Sequence, residues 1–225
     1  MHDRRCRLRG HLLPRLLERP GPPLAPLAVA IEADVEIVAL DLRELEISEP
    51  REDFTPVVEE AVKAAEAGKV WGDPKAARAL YRRFGIDPTK TRPSSEALLR
   101  RAVRGHPFPR INSLVDVANV MSLLAQAPVG LYDLDRVEGP LTLRIGTEGE
   151  GYEGIRKDRI NVAGRLCVAD AFGPCGNPSS DSARTMITTA TEHAAWIWFL
   201  PVGKQVLGRT AELVSQYGRG LMIVS

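Results

Sequence analysis

The chain has 225 residues, 44% hydrophobic and 26% charged, with a formal net charge of +1. That suits one well-packed globular core, and an aromatic content of 5% argues against a reader of single-stranded nucleic acid that stacks bases on many rings. Charge is uneven: Arg4, Arg5, Arg7, Arg9, Arg15 and Arg19 face only Asp3 and Glu18 in residues 1–19, leaving 24 basic and 27 acidic residues beyond them, so no broad basic face and no DNA partner are expected.

Cys6, Cys167 and Cys175 form no CxxC pair, which argues against a disulfide framework or a zinc site. His106 and His193 read as lone loop residues without a metal-ligand neighbour. No GxGxxG, Walker loop, HExxH or GxSxG is present, and neither a metal nor a cofactor is expected. No run of about 18 apolar residues exists, so no membrane partner is expected and the expected location is the cytoplasm.

Residues 1–26 read as an Arg- and Pro-rich disordered leader ending in "PGPPLAP", and residues 27–225 as a single domain. "VEIVALDL" (Val35–Leu42) is short and β-branched, a strand. Three short helices follow with one grammar of start, apolar face and Gly stop. The first has Thr55 as N-cap, Pro56, the face Val58/Ala61/Val62/Ala65 and Gly68. The second has Asp73, Pro74, the face Ala77/Leu80/Tyr81/Phe84 and Gly85; the third has the face Leu98/Leu99/Ala102/Val103 and Gly105. A fourth helix runs from Asn112 or Ser113 to about Gln126.

Beyond Pro128 the chain turns β-rich: "VGLYDLD", "LTLRIG", "GYEGI", "RLCVADAFG" and "AAWIWFLP", the last with Trp196 and Trp198 on one face. "KQVLGRTAELVSQYG" is a late helix and "LMIVS" a closing strand. Helices early and strands late indicate an α+β layered domain.

Three segments carry candidate chemistry. In "PRINSLVDVAN", Ser113 and Asp116 imitate a capping box, while Asp116, Asn119 and Ser122 form a polar line at three-residue spacing on an apolar helix. Buried polar groups need partners, so that line faces water, a polar loop or a ligand. Asp133 and Asp135 alternate along a strand and suit either acid–base work or a strand-end turn network. "NPSSDSART" (Asn177–Thr185) suits an anion or a positioned water, or a solvated turn that caps the next segment.

The order Arg110, Asn112, Val115, Asp116, Asn119, Pro128, Tyr132, Asp133, Leu134, Asp135 resembles the B3/4 domain of the phenylalanyl-tRNA synthetase beta subunit, with "CVADAFGP" and "SDSARTMITTAT" extending the likeness over about Pro93 to Phe199. The layout resembles free-standing proteins made of this domain alone. The resemblance implies a three-layer sandwich of two β-sheets and a helical layer. It also implies tRNA or aminoacyl-tRNA as partner, with hydrolysis of a mischarged amino acid ester in trans by a positioned water. The alternative is a non-catalytic module for tRNA, an amino acid or a related small ligand. The pocket positions it implies are Arg110, Asn112, Ser113, Gly130, Tyr132, Asp170, Ser180 and Asp181, with Asp116 and Asn119 as scaffold. Bacterial synthetases usually place a His where this chain has Gly130, and a Glu where it has Ser180 followed by Asp181. Selectivity for tyrosine is therefore not expected to carry over.

Overall fold

Strand β10 (Ala194–Trp198) organises the molecule because both of its faces are buried. Trp196 and Trp198 face one way, with ring centroids 5.5 Å apart, and Ala195 and Ile197 face the other. A strand of period two that is apolar on both faces belongs in a middle layer. The computed structural model describes residue 27 and residues 29–224. The expected leader, residues 1–26, lies outside the described residues.

β10 pairs antiparallel with β2 (Val38–Arg43) on one side and β3 (Val129–Asp133) on the other; β11 (Leu221–Val224) completes a central sheet in the order β11-β2-β10-β3. β3 is thus an edge strand. The second sheet runs β1-β4-β7-β8-β9: β1 (Val29–Ile31), β4 (Leu141–Ile145), β7 (Leu166–Asp170), β8 (Gly173–Asn177) and β9 (Ser180–Asp181). β1 runs parallel to β4, and the other pairs are antiparallel. A hairpin of β5 (Gly151–Glu153) and β6 (Arg159–Asn161) packs Tyr152 and Ile160 against Cys167 beside this sheet.

Helices α1 (Thr55–Glu66), α2 (Ala76–Arg83), α3 (Ser94–Val103), α4 (Ser113–Ala125) and α5 (Lys204–Leu213) supply the remaining elements. α1, α3, α4 and α5 cover one face of the central sheet: Leu114, Val117 and Met121 of α4 share a core with Leu40, Leu42, Trp196 and Trp198. The other face meets the second sheet through Leu143, Val168, Cys175, Tyr132, Ile197 and Phe199. The architecture is α+β, with helices, central sheet and outer sheet stacked in that order. Truncating either buried indole to Ala is expected to cost about 3–5 kcal/mol.

The helix stops fall where expected, with Gly68, Gly85 and Gly105 all at φ +67, a conformation that a Cβ resists. The starts differ. A 3-10 turn, Glu52–Phe54, precedes α1, so its cap residue is Phe54 rather than Thr55. α2 starts after Lys75, whose N–H is held by the Asp73 side chain at 2.9 Å. Val103 is 58% exposed and belongs to no buried face. "NPSSDSART" contains β9, and α5 continues into a wider π turn, Val214–Gly218.

Candidate functional site

Asn112 has extended backbone, and its Oδ1 accepts the Val115 N–H at 2.9 Å; it is therefore the N-cap of α4. Ser113, one residue inside the helix, spends its hydroxyl on the Ser48 N–H at 3.1 Å instead. Asp116 reaches back past the cap, accepting from the Ile111 N–H at 2.7 Å and from Arg110 Nε at 2.6 Å. Arg110 also donates to Thr55 Oγ1 at 3.1 Å and the Arg51 carbonyl at 2.6 Å. The capping box expected on Ser113 is thus an Asn cap, with the carboxylate serving the residue before it. Arg110 and Ser113 tie α4 to the start of α1 and to the segment around Ser48, while Asn112 Nδ2 donates to the Ile187 carbonyl at 3.4 Å.

The polar line continues from there into a cleft. Asn119 and Ser122 lie with Val115 and Ala118 along one wall, and Ser94 and Leu98 of α3 form a second. Val129 and Leu131 contribute from the edge of β3, Asp181, Ala183, Met186 and Ile187 from β9 and its continuation, and Ile155 and Arg156 from the tip of the β5–β6 hairpin. The volume is about 670 Å³, within the usual range for small-molecule sites. The cleft exists because two sheet edges, β3 and β9, meet beside α3 and α4 without closing the gap.

Most of this lining is apolar, which makes Asp181 the unusual residue. Its Oδ2 accepts the Leu131 N–H at 3.3 Å, so the side chain itself bridges the two sheet edges. Its Oδ1 is shut off from solvent without a hydrogen-bond partner, although the residue as a whole is half-buried. Burial pushes the carboxyl up to about 7, against the opposing pull of the Leu131 N–H, the Tyr132 hydroxyl and the Lys157 ammonium. The Ser94 hydroxyl, also on the cleft wall, is a second buried polar atom without a partner.

Of the eight candidate ligand residues, Asp181 alone lines the cleft. Gly130 and Tyr132 lie between the sheets, where a Cβ at Gly130 or at Gly176 would stand 2.4 Å from the Tyr132 hydroxyl oxygen. The ring therefore fills the space over both glycines. A His at position 130 has no room while Tyr132 occupies that site, which gives the departure from the synthetase pattern a steric reason. Asp170 is held by both arms of Arg184 at 2.8 Å and by the Phe172 and Glu138 N–H groups at 3.0 Å. Ser180 receives Lys157 Nζ at 2.7 Å on its hydroxyl and the Tyr152 hydroxyl at 2.6 Å on its carbonyl.

Asn119, read as scaffold, lines the cleft. Its place in the three-residue polar line was the available signal. Arg156 and Ile155 had none, because only the folded hairpin brings them to the mouth. Asp133 takes the turn-network reading: it accepts from the Asp135 N–H at 3.1 Å and from Thr191 Oγ1 at 2.7 Å. His193 is a correction, since its Nε2 lies 2.7 Å from the buried Asp41 Oδ1, outside the cleft lining. Cys167 and Cys175 are buried free thiols in different core clusters. Among the described residues no cluster of three His, Cys, Asp or Glu could hold a metal, and no helix is long and apolar enough to cross a membrane.

Every wall of the cleft falls within residues 76–202, the stretch that matches the sequence profile of the B3/4 domain and more than half of the chain. The chain belongs to the B3/4 domain family. Among curated proteins it is similar to the phenylalanine–tRNA ligase beta subunit of Bartonella henselae, 26% identical over 122 residues, which is 51% of this chain and 14% of that protein. The corresponding subunit of Neisseria meningitidis serogroup B is 23% identical over 145 residues, 60% of this chain and 17% of that protein. The chain therefore matches only a small part of these relatives' length. A solved N-terminal fragment of the Pyrococcus horikoshii phenylalanyl-tRNA synthetase beta subunit aligns over 88% of this chain and 50% of that one, at 11% identity and a TM-score of 0.46. This B3/4 domain is a tRNA-synthetase-related domain, and its cleft lies within the part that the family shares.

Proposed function

We propose that the cleft receives the aminoacyl end of a tRNA and hydrolyses its ester in trans. The observation that carries this reading is Asp181: a carboxyl held near neutrality where two sheet edges meet, on the wall of a mostly apolar cleft of small-molecule size. A base with a pKa close to the working pH is suited to taking a proton from an attacking water. The relatives' names associate the family with tRNA, and the cytoplasm is the compartment in which such a substrate is met. The water would attack the ester carbonyl while Asp181 takes its proton; the C–O bond to the tRNA then breaks, and the 3′ oxygen leaves as a hydroxyl by taking that proton from Asp181. Asn119 and the Ser94 hydroxyl are the neighbouring groups able to hydrogen-bond the ester or the amino acid.

The test is amino acid release from a panel of mischarged tRNAs. The reading predicts release from at least one of them, with a rate that is half-maximal near pH 7 and falls toward acid as Asp181 is protonated. Asp181→Asn should slow release by about 100-fold or more and remove that pH dependence. Binding of an aminoacyl-tRNA without turnover across the panel would overturn hydrolysis and leave a binding module.

A further inference from the structure

We infer that the tip of the β5–β6 hairpin grips the phosphodiester of the terminal nucleotides of an RNA whose 3′ end enters the cleft, with the Arg156 guanidinium as the phosphate ligand. This rests on the reading proposed above and adds a second contact to it.

The hairpin is held firmly. The Tyr152 hydroxyl donates to the Ser180 carbonyl at 2.6 Å, Lys157 Nζ to the Ser180 hydroxyl at 2.7 Å, and the Ala183 N–H to the Glu153 carbonyl at 2.9 Å. The Ile155 N–H reaches the Asp181 carbonyl at 3.4 Å, so the tip is fastened to the same residue whose carboxyl lines the cleft. A group on such a platform is positioned before a ligand arrives.

Arg156 is the cation left over. Lys157 is spent on Ser180, and Arg159 donates to the Gly149 carbonyl at 3.2 Å. Among the described residues nothing engages the Arg156 guanidinium, yet the residue lines the mouth of the cleft and is exposed. Its backbone has φ +53, a region where Gly is free of strain and Arg is not. Neither backbone preference nor local pairing calls for an Arg at that spot, and its guanidinium stands free to take a ligand at the cleft. A planar fork of N–H donors matches a phosphate, and the neighbouring Lys157 adds positive charge. Ile155, 38% exposed and also at the mouth, offers an apolar surface for a terminal base.

Two probes separate this contact from the cleft itself. One is a CCA-ended acceptor-stem minihelix with leucine, phenylalanine or tyrosine amide-linked at its 3′ end. The other is the same aminoacyl-amide adenosine without any phosphate. The full chain and its Arg156→Gly and Arg156→Lys variants are titrated with both over a range of salt. Arg156→Gly should lower minihelix affinity about tenfold and reduce the log–log salt slope by about one, while adenosine affinity is unchanged. Its melting temperature should be no lower than that of the wild type, since Gly accepts the backbone without strain. Arg156→Lys should keep most of the affinity. Wild-type minihelix affinity and salt slope in Arg156→Gly would overturn the inference and leave the cleft reading intact. Failure of the wild type to bind either probe would overturn both.

Discussion

Asp181 is the residue on which the proposed hydrolysis turns. Its carboxyl is raised from 3.8 to about 7 because folding removes it from water. A raised acid favours the protonated folded state, so its contribution to stability is complete below about pH 4 and is lost as pH rises through about 7. Denaturant titrations should show Asp181→Asn matching wild type near pH 4 and exceeding it at pH 8, by on the order of 1–3 kcal/mol. Parallel pH profiles for the two proteins would contradict that assignment. Gly130 offers a second test at this scale. Gly130→Ala places a methyl against the Tyr132 ring and should cost about 1–3 kcal/mol. Tyr132→Phe removes the nearest atom, so the double variant should recover part of that loss.

At the scale of elements, the start of α4 shows what sequence patterns can and cannot decide. Asn112→Ala should cost about 1 kcal/mol through loss of the cap. Asp116→Ala should cost more, about 2–3 kcal/mol, because it leaves the Ile111 N–H unpaired and takes the carboxylate from Arg110, which keeps Thr55 and the Arg51 carbonyl. Equal losses in thermal or chemical unfolding would show that the carboxylate does not organise this corner. The helix itself was legible from its apolar spacing, and its polar line correctly marked the face that reaches the cleft. The cap was not legible. Asn-Ser-x-x-Asp fits either register, and the choice is made by the Ser48 N–H, 65 residues away in sequence, which claims the Ser113 hydroxyl. The same non-locality hid the hairpin: "GYEGI" reads as one strand, while its role at the cleft depends on contacts with Ser180, Asp181 and Ala183.

At the scale of the whole molecule, the central sheet is covered by helices on one face and by the second sheet on the other. Neither core is complete without it. Unfolding should therefore be a single transition, with tryptophan fluorescence from Trp196 and Trp198 coinciding with far-ultraviolet circular dichroism. Separate midpoints would mean that the layers unfold independently. The layered α+β class followed from the order of helices and strands, because each element's own periodicity shows which face it must bury. The strand order did not, since β2 and β10 pair across some 150 residues with no local signal. The cleft was equally hidden, because its walls come from five separated segments, most of them contributing ordinary apolar residues. Asp181, Asn119 and Ser122 are the polar residues singled out in the sequence that reach that space.

The proposed hydrolysis has its place in this cleft. Ala183 lines it from a half-buried position and belongs to none of the core clusters, so Ala183→Trp should fill the space while leaving the central-sheet core untouched. The decisive measurement is single-turnover amino acid release from a mischarged tRNA that the wild type deacylates. Release should fall by about 100-fold or more in Ala183→Trp at an unchanged melting temperature. Release at the wild-type rate from the blocked protein would contradict the account.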